Sequence, residues 1–178
     1  MAFLAVLLAG CDREDEDVKP ELEFVPTEVF VKFEGGYTID KVFEFINSLG
    51  HEVPYIRSLK YTSDLPPDSL EYVLNYLNAK PYTQRDVWRV TGYRHYKTDE
   101  ISIFPTLFDM KNAKYQNDWL ESIQVLQLRE DTEGTTAGFI VFFRVPEGEE
   151  KTWESKFEEY DFVEWAELNY IVELNPWP

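Results

Sequence analysis

Cysteine is almost missing from this chain. Cys11 is the only one among 178 residues, so no intramolecular disulfide can form and the fold must be held by its core. Histidine is nearly as scarce, with His51 and His95 alone available as imidazole bases. Positive charge is in deficit: 17 Lys and Arg stand against 34 Asp and Glu, a formal charge of −17. Such a surface repels phosphate backbones, and nucleic acid is not expected as a partner. Long apolar runs are lacking too. Met1 to Gly10 (MAFLAVLLAG) carries no charge, but as a helix it covers about 15 Å, half of a hydrocarbon core of about 30 Å.

Catalytic signatures are also missing. The chain has no HExxH, no Gly-x-Ser-x-Gly elbow, no phosphate-binding glycine loop and no paired cysteines. With 34 acidic residues, some carboxylate pair will match glycosidase spacing by chance. Glu158, Glu159, Asp161, Glu164 and Glu167 read instead as solvated sides of a helix and a strand. Glu130 to Gly134 (EDTEG) supplies oxygen ligands without EF-hand spacing. The expectation is therefore no catalytic residue, no metal and no cofactor. Material for a packed interior is ample, with 44% hydrophobic and 16% aromatic residues. That composition suits one domain, or two small ones sharing a core.

The short apolar start ends in Ala9 and Gly10 directly before Cys11, the pattern of a signal-peptide core followed by small residues. Leu8-Ala9-Gly10-Cys11 resembles the lipobox of bacterial lipoproteins. The resemblance implies a diacylglycerol on the Cys11 sulfur and cleavage between Gly10 and Cys11. It departs from the family in having no Lys or Arg ahead of the apolar core. Asp12 to Asp17 (DREDED) cannot bury apolar surface and reads as part of a solvated tether over residues 11–27. It also looks like the acidic tags of some surface-exported lipoproteins. Two or more acyl chains hold a protein firmly to a membrane. The implied location is the bacterial cell envelope, at the outer membrane or surface rather than the inner membrane.

Residues 28–178 read as a single α+β domain. Val29, Val31 and Phe33 alternate as on a strand. Thr38 stands where a helix cap belongs, ahead of Ile39, Val42, Phe43, Ile46 and Leu49 at helical spacing, and Gly50 ends the run. Val53 to Leu59 returns as a strand, completing a strand–helix–strand unit. Ala137 to Val145, a helix with Trp153, Phe157 and Tyr160 as its apolar stripe, and Phe162 to Leu174 repeat that order. Between the halves, 60–136 is too long for a connection. It predicts a helix from Pro67 with Asp68 and Glu71 as a capping box, strands at Asp86 to Tyr93, Glu100 to Phe104 and Ser122 to Arg129, and a hairpin loop at Thr132 to Gly134.

Residues 28–59 (containing VFVKFEGGYTIDKVFEFINSLGHEV) and 137–174 (containing FIVFFRVPEGEEKTWESKFEEYDFVEWAELNYIVEL) together resemble the propeptide domain of subtilisin-like serine proteases. The resemblance implies a ferredoxin-like antiparallel sheet with helices on one face, here enlarged by the central α+β insertion. In that family the sheet packs on the protease and the tail enters the active-site cleft. Leu174, Asn175 and Trp177 would correspond to that inhibitory tail. Pro176 and Pro178 cannot donate the strand-like hydrogen bonds such a tail uses, so weak or absent inhibition is expected.

One local anomaly remains. Arg85, Trp88, Arg89, Arg94, His95 and Tyr96 concentrate cations and aromatics within an acidic chain. They read either as a contact surface for an acidic or carbohydrate partner, or as a strand with a buried aromatic face. His51, just after Gly50, reads as a surface-loop residue. The function expected is a lipid-anchored, non-catalytic module that binds an unidentified protein. A protease inhibitor or chaperone, or a structural subunit of an envelope complex, are the alternatives.

Overall fold

Antiparallel pairing dominates the computed structural model, which describes residues 22–132 and 138–171. In chain order its elements are β1 (Phe24–Phe33), α1 (Ile39–Ser48), β2 (Glu52–Arg57), β3 (Tyr61–Ser63), a 3-10 turn (Pro67–Ser69), α2 (Leu70–Asn78), β4 (Thr91–Arg94), β5 (Ile101–Phe104), β6 (Leu107–Phe108), α3 (Ala113–Val125), β7 (Leu128–Glu130), β8 (Ile140–Arg144), α4 (Glu150–Glu158) and β9 (Val163–Tyr170). The fold is α+β, with two antiparallel sheets.

The first sheet has the order β6-β2-β8-β1-β9. Its strands β9, β1, β8 and β2 come from the two halves predicted from the sequence and lie in the ferredoxin-like order. Helices α1 and α4 pack on one face. Phe45 of α1 and Phe157 of α4 meet Phe143 of β8 at 6.2 and 4.7 Å between ring centroids. Val29, Val31 and Phe33 of β1 point into this same core, each fully buried. The alternation that marked β1 thus fixed which face is inside.

The insertion both extends this sheet and builds another. Strand β6 pairs with β2 as a fifth strand, while β4, β5, β3 and β7 form a second sheet. Tyr61, Ile101 and Ile103 on its inner side pack with Trp119 of α3, and one continuous cluster of buried side chains joins both sheets.

Several expected elements differ. The strand expected at Ser122 to Arg129 is instead the end of α3 followed by β7. That helix escapes an apolar-period reading because two of its three buried positions, Gln116 and Ser122, are polar. Gln116 earns its burial by donating to the Met110 carbonyl at 2.6 Å and exchanging two hydrogen bonds with Asn47 of α1. The strand expected from Asp86 begins only at Thr91, because residues 85–88 close a tight turn with Asp86 at φ 51°. Strand β1 starts at Phe24, four residues ahead of Glu28. Thr27 sits at φ 68° near a register shift against β9, which hides the alternation upstream.

The helix caps also differ. Neither Thr38 nor Ser69 makes a side-chain cap bond, and the Asp68–Glu71 capping box does not form because a 3-10 turn occupies that stretch.

Candidate binding face

Alternation along β1 places Phe30 on the side turned away from α1 and α4. The ladder then sets its neighbours. Phe30 lies opposite Phe142 of β8, Phe142 opposite Tyr55 of β2, and Tyr55 opposite Phe108 of β6. Successive ring centroids are 5.1, 4.7 and 6.4 Å apart, with Phe142 and Tyr55 stacked. Four aromatics therefore form a row across four of the five strands. Each such contact adds about 0.5–1.5 kcal/mol beyond area burial. Phe142 and Phe108 are buried within the row, while Phe30 and Tyr55 are half-buried. The Arg57 guanidinium lies over Phe30 at 5.0 Å.

The insertion adds a rim at the β6 end. Arg85 and Trp88 exchange backbone hydrogen bonds of 3.2 and 2.8 Å, leaving Asp86 and Val87 as the two-residue tip of a tight turn. The base is fastened: Arg85 donates twice to Asp109, at 3.1 and 2.9 Å, and lies over the Phe108 ring at 5.0 Å. The tip projects, with Val87 90% and Trp88 57% exposed. Between tip and sheet is a pocket of about 310 Å³ bounded by Tyr55, Arg57, Phe108, Arg85 and Trp88. Trp88 also lines a second, more open depression of about 730 Å³, together with Val87, Arg89, Thr91, Phe104 and Pro105. Thr106 borders both.

The six predicted contact residues divide into two groups. Arg85, Trp88 and Arg89 gather at this tip. Arg94, His95 and Tyr96 sit at the β4–β5 connection, where Arg94 pairs with Asp99 at 3.4 Å and His95 stacks with Tyr96 at 5.5 Å. Because Trp88, Tyr93 and Tyr96 are exposed, a strand with a buried aromatic face does not describe them. Nothing in the sequence marks Phe30, Tyr55, Phe108 and Phe142 as acting together. They come from four separate segments, and only the ladder register aligns them. The predicted Gly10, Cys11, Leu174, Asn175 and Trp177 lie outside the described residues.

Both histidines have structural surroundings. His51 is half-buried against the Trp153 ring at 4.1 Å rather than in an open loop. Desolvation, with Lys111 and Lys156 nearby, lowers its pKa. His95 Nδ1 accepts from the Lys97 and Thr98 backbone N–H groups at 3.4 and 3.3 Å, which tightens the connection. His95 and Glu130 border one open cleft of about 760 Å³. Glu130 Oε2 accepts from the Ile39 N–H at 3.2 Å, and its Oε1 is buried without a partner among the described residues. Burial raises the Glu130 pKa to about 7. Asp131 is bonded to Lys60, and among the described residues no group of three or more His, Cys, Asp or Glu is placed to hold a metal ion. Nor is any described helix long and apolar enough to cross a membrane. In comparisons with known proteins, the chain matches no protein-family model, no curated protein and no solved structure.

Proposed function

We propose that this chain is a non-catalytic protein-binding module, held at the bacterial cell envelope by lipid on Cys11, and that it binds through the sheet face turned away from α1 and α4. The observation that carries the reading is the row Phe30–Phe142–Tyr55–Phe108, bordered by a projecting Val87–Trp88 tip. Aromatics on a rigid sheet lose little conformational entropy on binding, and together with arginines they dominate the energetics of protein interfaces. Nucleic acid is disfavoured by the charge of −17.

Photo-crosslinking tests the reading. A benzoylphenylalanine in place of Tyr55 should yield a discrete protein adduct in native membranes. The same group in place of Glu44, exposed on α1, should not. Equal labelling from both positions, or none from either, would defeat the assignment of this face.

A second reading, a protease inhibitor or chaperone of the subtilisin-propeptide kind, draws on the strand order β9-β1-β8-β2. We expect no tight inhibition, because Pro176 and Pro178 lack the donors a cleft-bound tail needs. Nanomolar inhibition of a subtilisin, lost on deleting residues 174–178, would favour this second reading over the first.

A further inference from the structure

Six arginines lie among the described residues, and four of them are ion-paired. Arg85 pairs with Asp109, Arg94 with Asp99, Arg129 with Asp64 and Arg144 with Glu52. Arg57 and Arg89 make no ion pair among the described residues. Carboxylates outnumber cations two to one in this chain, so partners are not in short supply. Each of these arginines borders a hollow that Trp88 also lines: Arg57 the pocket of about 310 Å³, and Arg89 the depression of about 730 Å³. Trp88 itself is 57% exposed on a turn whose base is fixed by the Arg85–Asp109 pair.

An exposed indole that lines two hollows, each bordered by a guanidinium fork that makes no ion pair among the described residues, suits recognition. Each fork presents paired N–H donors that match a carboxylate. The pocket of about 310 Å³ is at the small end of ligand sites, which run from roughly 300 Å³. It has room for one large apolar side chain against Tyr55 and Phe108.

We propose that the Trp88 tip is the specificity element of the binding face, and that it receives an extended acidic peptide segment of a partner protein. An aromatic or large aliphatic side chain of that segment enters the Tyr55–Phe108 pocket, and flanking Asp or Glu carboxylates meet Arg57 and Arg89. This inference rests on the protein-binding reading above and adds the chemistry of the partner. Two local carboxylates satisfy the two forks, whereas a polyanion such as single-stranded nucleic acid also meets the repulsion of a −17 surface.

The experiment is selection of a random displayed peptide library on the purified protein, followed by affinity measurement with the best synthetic peptide. Enriched sequences should place Asp or Glu within a few positions of an aromatic or Leu, Ile or Met. Arg57→Gln and Arg89→Gln should each weaken that peptide roughly threefold to tenfold, and Trp88→Ala should abolish binding. All three side chains are exposed, and unchanged thermal melts would show that the variants fold. Enriched peptides without acidic residues, or binding indifferent to both arginine variants, would overturn the inference while leaving the protein-binding reading in place. So would tighter binding of a short single-stranded oligonucleotide than of any peptide. No enriched peptide, with the Tyr55 crosslink still seen, sinks the peptide inference alone. The loss of both sinks the broader reading as well.

Discussion

Glu130, at the end of β7, caps α1 from 91 residues away: its Oε2 accepts the Ile39 backbone N–H at 3.2 Å, in the place left by Thr38, which makes no cap bond. The contact ties the second sheet to the first helix of the ferredoxin-like half. It also has a consequence for stability, because burial raises the Glu130 pKa from 4.5 to about 7. The folded state then holds this proton more tightly than the unfolded chain. Its contribution is fully present below pH 4.5 and is lost as pH rises through about 7. The full shift corresponds to a ceiling of roughly 3 kcal/mol. Glu130→Gln keeps an acceptor for Ile39 without the charge. The variant should match the parent near pH 5 and melt higher at pH 8. His51, whose pKa is lowered, acts in the opposite sense and is common to both proteins, so their difference isolates Glu130. Parallel pH profiles of the two melting temperatures would refute this.

Phe45 is the hub of the aromatic core, within 6.3 Å of the Phe33, Phe143, Phe157, Tyr160 and Phe162 ring centroids. Phe45→Ala should cost roughly 3–5 kcal/mol through lost transfer and a residual cavity. Phe45→Leu should cost clearly less. Urea unfolding monitored by circular dichroism reads both, and similar costs for the two would mean the site collapses around whatever it holds.

Gly138 precedes β8 at φ 88°, and a Cβ there would stand 2.2 Å from the Phe33 carbonyl oxygen. The neighbour is backbone and is bonded within the sheet, since Phe33 N–H donates to the Phe139 carbonyl at 3.0 Å. Gly138→Ala should therefore destabilise by roughly 1–3 kcal/mol, combining overpacking with left-handed strain. Gly36→Ala meets nothing within 4 Å, although its φ is also positive at 89°. It should cost about 1 kcal/mol. A smaller loss at 138 than at 36 would contradict the clash.

The anchor is tested by Cys11→Ala. If lipid on Cys11 holds the protein at the membrane, the variant should move to the soluble fraction after cell disruption. The parent should partition into detergent, and its mature mass should carry the acyl addition. An unchanged distribution of the variant would remove the envelope assignment.

Period-two and helical spacing make the two halves legible in the sequence itself. Val29, Val31 and Phe33 specify an inside face, as do Val42, Phe43 and Ile46, because burial on one side imprints its period on the sequence. Where burial is satisfied by polar side chains, that imprint fades. Gln116 and Ser122 are buried in α3 by hydrogen bonding, so a helix there looked like a strand. Positive φ had the same effect at Asp86, where neither glycine nor asparagine announces the turn.

Local pattern fixed the α+β class and the strand–helix–strand halves, since each depends on neighbours in the chain. Which residues meet was settled only by pairing. The row Phe30–Phe142–Tyr55–Phe108, the Glu130 cap on α1 and the pocket shared by Arg57 and Trp88 join residues far apart in sequence. Their alignment follows from ladder register and from how the insertion folds back on the sheet, and a one-residue slip would have sent each aromatic to the opposite face.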